Sequence, residues 1–92
     1  MIQTVLLSKK VLKDLKKIPT HIVEKLQVWK DGVEDVGLEE MRKQPGFHDE
    51  PLAGQRKGQR SIRLSRSYRA IYRVVQDRVI FVLIEEVSKH DY

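Results

Sequence analysis

The apolar residues of this chain change their period once, and that change decides most of what the chain can fold into. Val11, Leu12, Leu15 and Ile18, then Ile22, Leu26, Trp29 and Val33, recur at steps of three and four. This spacing lines one face of an α-helix. Beyond Gly58 the period becomes two: Ile62 and Leu64 alternate with Ser61, Arg63 and Ser65, the pattern of a strand with one dry and one polar face. Tyr68 to Val75 continues as a second strand. Val79 to Ile84 is apolar at every position, as in a strand buried at least partly on both faces. Helices that all precede the hairpins can cover only one face of the sheet. The other face stays open, and Arg63 stands on it.

The remaining boundaries follow from local chemistry. Ile2 to Leu7 reads as a first strand, and Ser8 is placed to cap a helix. Pro19 ends that helix and, with Thr20, opens the next. Gly32 lies inside the second helical pattern, where it costs about 1 kcal/mol relative to alanine. The helix is therefore expected to weaken between Gly32 and Gly37. A short turn follows over Leu38 to Lys43, and Pro45-Gly46 stops it. Phe47 to Gly58, with Pro51 and Gly54, reads as loop, and Gln76-Asp77-Arg78 as a tight turn. The expected architecture is α+β, in the order β-α-α-β-β-β. A largely antiparallel sheet packs on a helical hairpin, in a single domain over residues 1–92. Leu12, Leu15, Ile22 and Trp29 are assigned to the core rather than to a partner surface.

Composition removes several function classes. The chain has no cysteine, so neither a disulfide nor a thiolate metal site holds it together. No stretch approaches the roughly 20 apolar residues that span a bilayer. The opening Met1–Leu7 has no basic n-region or small-residue cleavage site, so no secretory leader is expected and a cytoplasmic location is. His21, His48 and His90 have no ligand partner at a recognised metal spacing. No glycine-rich loop precedes a helix to cradle a nucleotide, and no nucleophile elbow frames Ser61, Ser65 or Ser67. Neither a metal nor a small-molecule cofactor is expected.

Charge points the other way. The net charge is +5, and the excess is concentrated in Arg56, Lys57, Arg60, Arg63, Arg66, Arg69, Arg73 and Arg78, with Asp77 the sole acid among them. Arginine grips phosphate with a planar fork where lysine offers a point charge, so an arginine-dominated segment implies a phosphate-rich partner. The plainer reading is a solvated sheet face whose charges block edge pairing. The basic face also predicts an acidic protein partner, in the form of a helix laid across it.

Acid–base chemistry on RNA fits the remaining groups. Metal-free cleavage needs a base for the ribose 2′-hydroxyl, cations for the charge on the phosphorane-like transition state, and an acid for the leaving 5′-oxygen. Glu50 can serve as base, Arg63 and Arg69 as cations, and His90 as acid, since histidine titrates near neutrality.

Glu50-Pro51-Leu52, then Gly58, Arg63 and Tyr68-Arg69-Ala70-Ile71-Tyr72, resembles the RelE/ParE superfamily of toxins from type II toxin–antitoxin systems. The nearer likeness is to the YoeB and RelE branch of mRNA interferases. The likeness spans nearly the whole chain and is most specific over residues 50–72 and again at His90 to Tyr92. It implies a RelE-like fold and a metal-independent endoribonuclease that cuts mRNA in the A site of the 70S ribosome, restrained by a cognate acidic antitoxin. The resemblance gives Glu50 the part of general base, Arg69 that of phosphate stabiliser and His90 that of general acid. Arg63 falls on a further basic position and Tyr92 on the terminal tyrosine. Lys57, Arg60, Arg66 and Lys89 are left to contact the RNA backbone, and Lys89 is a second candidate for the acid or a stabilising cation. Two departures bear on His90: Asp91 separates it from Tyr92, and the stretch from Tyr72 to His90 is longer than in that branch. The superfamily also contains ParE-like inhibitors of DNA gyrase, an alternative that leaves Glu50 and His90 without a role. A non-catalytic RNA-binding module is a further alternative, with only Tyr68 and Tyr72 as stacking platforms.

Overall fold

The computed structural model describes residues 1–87. Strand β1 (Thr4–Leu7) leads through Ser8 into helix α1 (Lys9–Leu15). The Ser8 hydroxyl accepts the Val11 backbone N–H at 3.2 Å, which fixes the start of the helix. Pro19 precedes helix α2 (Thr20–Val36), and helix α3 (Leu38–Arg42) follows it. The second half comprises β2 (Glu50–Pro51), β3 (Arg60–Arg63), β4 (Tyr68–Val75) and β5 (Arg78–Glu86), with single 3-10 turns at Pro45–Phe47 and Gly54–Arg56.

These strands form one five-stranded sheet in the order β1-β5-β4-β3-β2. β5 runs parallel to β1, and every other pairing is antiparallel. β4 and β5 are joined by Gln76-Asp77, both at positive φ (51° and 61°). Two such residues give the turn whose twist matches that of flanking strands. The β4–β5 register slips between Ile71 and Tyr72: Ile71 faces Leu83, and Tyr72 faces Phe81. The extra residue on β5 puts Phe81 and Ile84, three apart, on the same buried face. The apolar run of β5 lies inside the sheet as its composition requires. Ile80, Val82 and Leu83 are only half-buried, because no helix covers their face.

On the helical side Trp29, Tyr72 and Phe81 pack in a fully buried trio with ring centroids 5.2–5.7 Å apart. Val11, Ile22, Leu26, Val33, Ile62 and Val79 surround them. The expected helical face of α2 is therefore the core face. Leu12 is the exception: it is 51% exposed and belongs to the outer surface of α1, because Val11 takes the inward position and its neighbour is turned away.

Two further expectations need correction. The segment 47–58 is not all loop, since Glu50–Pro51 pairs with β3 as the edge of the sheet. A proline is tolerated there because no further strand needs its missing donor. Nor does α2 weaken at Gly32, for it runs unbroken to Val36. The reason is close packing. A Cβ on Gly32 would run into Met41 Sδ and come within 2.7 Å of its Cε. The glycine lets α3 lie against α2, and the buried Met41 offsets the lost helix propensity. Gly37, at φ 93°, then breaks the helix in a conformation that glycine adopts freely. The atoms in the way are the flexible end of Met41, so Gly32→Ala should change stability by less than about 1 kcal/mol, the shift of Met41 offsetting the better helix propensity. Urea unfolding in native and Met41→Ala backgrounds checks this: a gain of about 1 kcal/mol should appear once Met41 is trimmed.

Candidate functional site

The strand registers gather the sequence-selected residues at one place on the uncovered face. Glu50 of β2 lies opposite Ser61 of β3. Two residues along, Arg63 lies opposite Arg69 of β4, and Arg69 lies opposite Glu85 of β5. With a period of two, Glu50, Ser61, Arg63 and Arg69 all face one way. They line a cavity of about 260 Å³, with Arg66 and Tyr68 on its wall. That is smaller than the roughly 300–1,000 Å³ of pockets that enclose a whole small ligand, and it suits one segment of a longer substrate.

The electrostatics of this hollow are unfavourable to the fold alone. Arg63 and Arg69 are directly opposed across two strands, an arrangement of like charges that destabilises a sheet. Arg69 is partly relieved by Glu85, whose Oε2 accepts from Nε at 2.6 Å and lies 2.6 Å from Nη2 in an ion pair. Arg63 is exposed and has no carboxylate partner among the described residues. Arg66 is likewise exposed, in the loop between β3 and β4. A cluster of arginines that the fold does not neutralise is an anion site in waiting.

A buried polar knot holds the rim. The Asp49 carboxylate is fully buried. It accepts from Arg60 Nε at 2.6 Å and from the Tyr72 hydroxyl at 2.6 Å. Arg42 Nε donates to the same hydroxyl at 3.4 Å. Burial, then the hydrogen bond to Asp49, pushes the Tyr72 phenol well above its ordinary value. Burial works against the charge of Arg60, but the hydrogen bond and charge of Asp49 outweigh it and raise its pKa. Arg60, selected from sequence for RNA backbone contact, thus faces the helical side and is tied to Asp49.

The other selected residues divide. Lys57 is exposed beyond the second 3-10 turn and does not line the cavity. Lys89, His90 and Tyr92 lie outside the described residues. Val87 lines the cavity and donates its backbone N–H to Ser67 O at 2.6 Å. Sequence reasoning passed over two residues here. His48 lines the same cavity, and its signal was present, two positions before Glu50 and so in phase with it. Asp49 gave no local signal, because its partners lie 11 and 23 positions away.

The described residues contain no helix long and apolar enough to cross a membrane. The family described as "ParE toxin of type II toxin-antitoxin system, parDE" matches residues 5–89. No curated protein is similar enough in sequence to count as a match. Three solved structures show the same fold. An archaeal RelE–RelB complex from Pyrococcus horikoshii superposes with a TM-score of 0.74 at 22% identity, over 97% of this chain and 99% of that one. YafQ from E. coli gives 0.73 at 19% identity, over 91% and 92%. A heterotetrameric YoeB–YefM toxin–antitoxin complex from Staphylococcus aureus gives 0.69 at 15%, over 92% and 97%.

Proposed function

We propose that this chain, which belongs to the ParE toxin family of type II toxin–antitoxin systems, cuts mRNA at the ribosome by acid–base chemistry that needs no metal. The observation that carries this reading is the meeting of one carboxylate with two arginines of the uncovered sheet face and a third from the adjoining loop, around one hollow.

Each group has a part in the reaction. Glu50 takes the proton of a ribose 2′-hydroxyl, and the 2′-oxygen attacks the adjacent phosphorus. Arg63 and Arg69 bind the non-bridging oxygens, where charge develops in the transition state. Arg66 holds the flanking backbone. The bond to the 5′-oxygen breaks as an acid protonates it, leaving a 2′,3′-cyclic phosphate and a 5′-hydroxyl. The sequence puts His90 forward as that acid; with Lys89 and Tyr92 it lies outside the described residues.

Similar structures hold a toxin with its antitoxin, as in the YoeB–YefM complex. For this chain the corresponding partner is an acidic antitoxin segment that covers the arginines and so competes with RNA. The family match also favours a second reading, ParE-like inhibition of DNA gyrase. It leaves the meeting of Glu50 with the arginines unused.

Cell-free translation with primer extension on the mRNA separates the two. Ribosome-dependent 5′ ends should appear with the native chain. They should fall by about 100-fold in Glu50→Gln, the usual scale of a lost general base. Intact mRNA together with blocked supercoiling by gyrase would exclude the nuclease.

A further inference from the structure

We propose that His48 is the proton donor to the leaving 5′-oxygen, a catalytic residue that the sequence reading did not select. This rests on the reading of the chain as a ribonuclease and deepens it.

Placement is the first argument. From Phe47 to Glu50 the side chains alternate. Phe47 is buried in the core, with Lys25 Nζ 4.7 Å from its ring centroid, and Asp49 is buried in the knot with Arg60 and Tyr72. These anchors hold the segment from the helical side. His48 and Glu50, the residues in the alternate positions, both line the hollow. A base and an acid for one phosphodiester must flank it, and two residues in phase on one anchored segment meet that need.

Backbone conformation is the second. His48 sits at φ 46°, ψ 50°, in the left-handed region, where it closes the 3-10 turn through its N–H to Pro45 O at 3.2 Å. Glycine or asparagine occupies such a position at lower cost. A histidine held there by anchors on both sides is an observed strain that points to a use for the side chain.

Chemistry is the third. The imidazole is exposed and has no hydrogen-bond partner among the described residues, so it is free to meet a ligand. Among the described residues, the other charged and titratable groups around the hollow are Glu50 from β2, Arg63 from β3, Arg66 from the following loop, and Tyr68 and Arg69 from β4. Of the side-chain types in this set, imidazole is the one most often used as a general acid, and a carboxylate suits the base that starts the reaction. The proton lost from the 2′-oxygen to Glu50 is balanced by the one His48 gives to the 5′-oxygen. Water then resets both groups.

The left-handed backbone supplies the test, because His48→Gly removes the imidazole while easing the turn. The variant should melt no lower than the native chain. Cleavage would be measured on ribosomes carrying mRNA with either an ordinary linkage or a 5′-bridging phosphorothiolate at the mapped site. A thiolate leaves without protonation, so only the loss of an acid is rescued by sulfur. His48→Gly should cut the oxygen linkage about 100-fold more slowly and the sulfur linkage within a few-fold of native. Glu50→Gln should be slow on both. Native-rate cleavage of oxygen by His48→Gly, or equal slowing on both linkages, would overturn the assignment. So would the sulfur rescue appearing in His90→Gln instead. A native chain that cuts neither linkage would overturn the nuclease reading together with this one.

Discussion

On the proposed nuclease reading, Arg69→Ala will fold and will cleave RNA about 100- to 1,000-fold more slowly than the native chain, the scale on which removing one preorganised charge stabiliser acts. Folding is spared because, among the described residues, the only ion pair lost is that of Arg69 with Glu85, side chains that are 36% and 40% exposed. Pairs of that kind contribute about 0–1 kcal/mol. The variant also removes the like-charge opposition to Arg63, a small gain that works in the same direction. Thermal unfolding should therefore hardly move while cleavage is nearly lost. A fall in melting temperature that matched the loss of activity would show that Arg69 acts through the fold.

The pair with Glu85 adds a second expectation. Glu85 occupies the Nε/Nη2 edge of the Arg69 guanidinium at 2.6 Å, so on the proposed reading a phosphate that uses this edge has to displace it. Glu85→Gln should bind RNA a few-fold more tightly, with its largest gain at low salt. Filter binding of single-stranded RNA over a salt series reads this directly. Weaker binding would show that Glu85 orients Arg69 rather than competing for it. Arg63, with no carboxylate partner among the described residues, should behave differently: Arg63→Ala should weaken binding and lower the salt slope by about one.

The legibility of this molecule divides along the range of the interactions involved. Helix α2, the β4–β5 hairpin and the open sheet face were readable, because each rests on a period or a turn within a few residues. Gly32 misled because its helix propensity is a local cost, whereas the Met41 side chain that offsets it belongs to another helix. Glu50–Pro51 is too short to show a period, so its strand character comes only from its pairing with β3. Glu50, Arg63 and Arg69 could be listed together from the sequence, but only the register of three strands places them around one hollow. Asp49 was invisible for the same reason, and His48 was weighed only as a metal ligand.

Asp49→Ala should destabilise the domain by about 3 kcal/mol, since it leaves the buried Tyr72 hydroxyl and the Arg60 guanidinium without their acceptor. For a small domain whose whole stability is about 5–15 kcal/mol, this is a substantial share. Tyr72→Phe removes one donor and leaves the Asp49–Arg60 pair, so it should cost about 1 kcal/mol. The two losses should not add, because both variants break the same hydrogen bond. The knot also predicts a pH dependence of definite sign. The Tyr72 phenol is held above its ordinary value of 10.0 by burial and by Asp49. A group raised on folding contributes stability that is whole below its unfolded value and is lost as pH climbs from there toward the folded value. Native stability, followed by urea unfolding, should thus be insensitive to this group below about pH 10 and fall above it. Tyr72→Phe should start lower and fall less steeply in the same range. Parallel curves for the two proteins above pH 10 would mean that Tyr72 gains nothing from Asp49. The anchor for the segment that carries His48 and Glu50 would then have to lie in Arg60 and Phe47 instead.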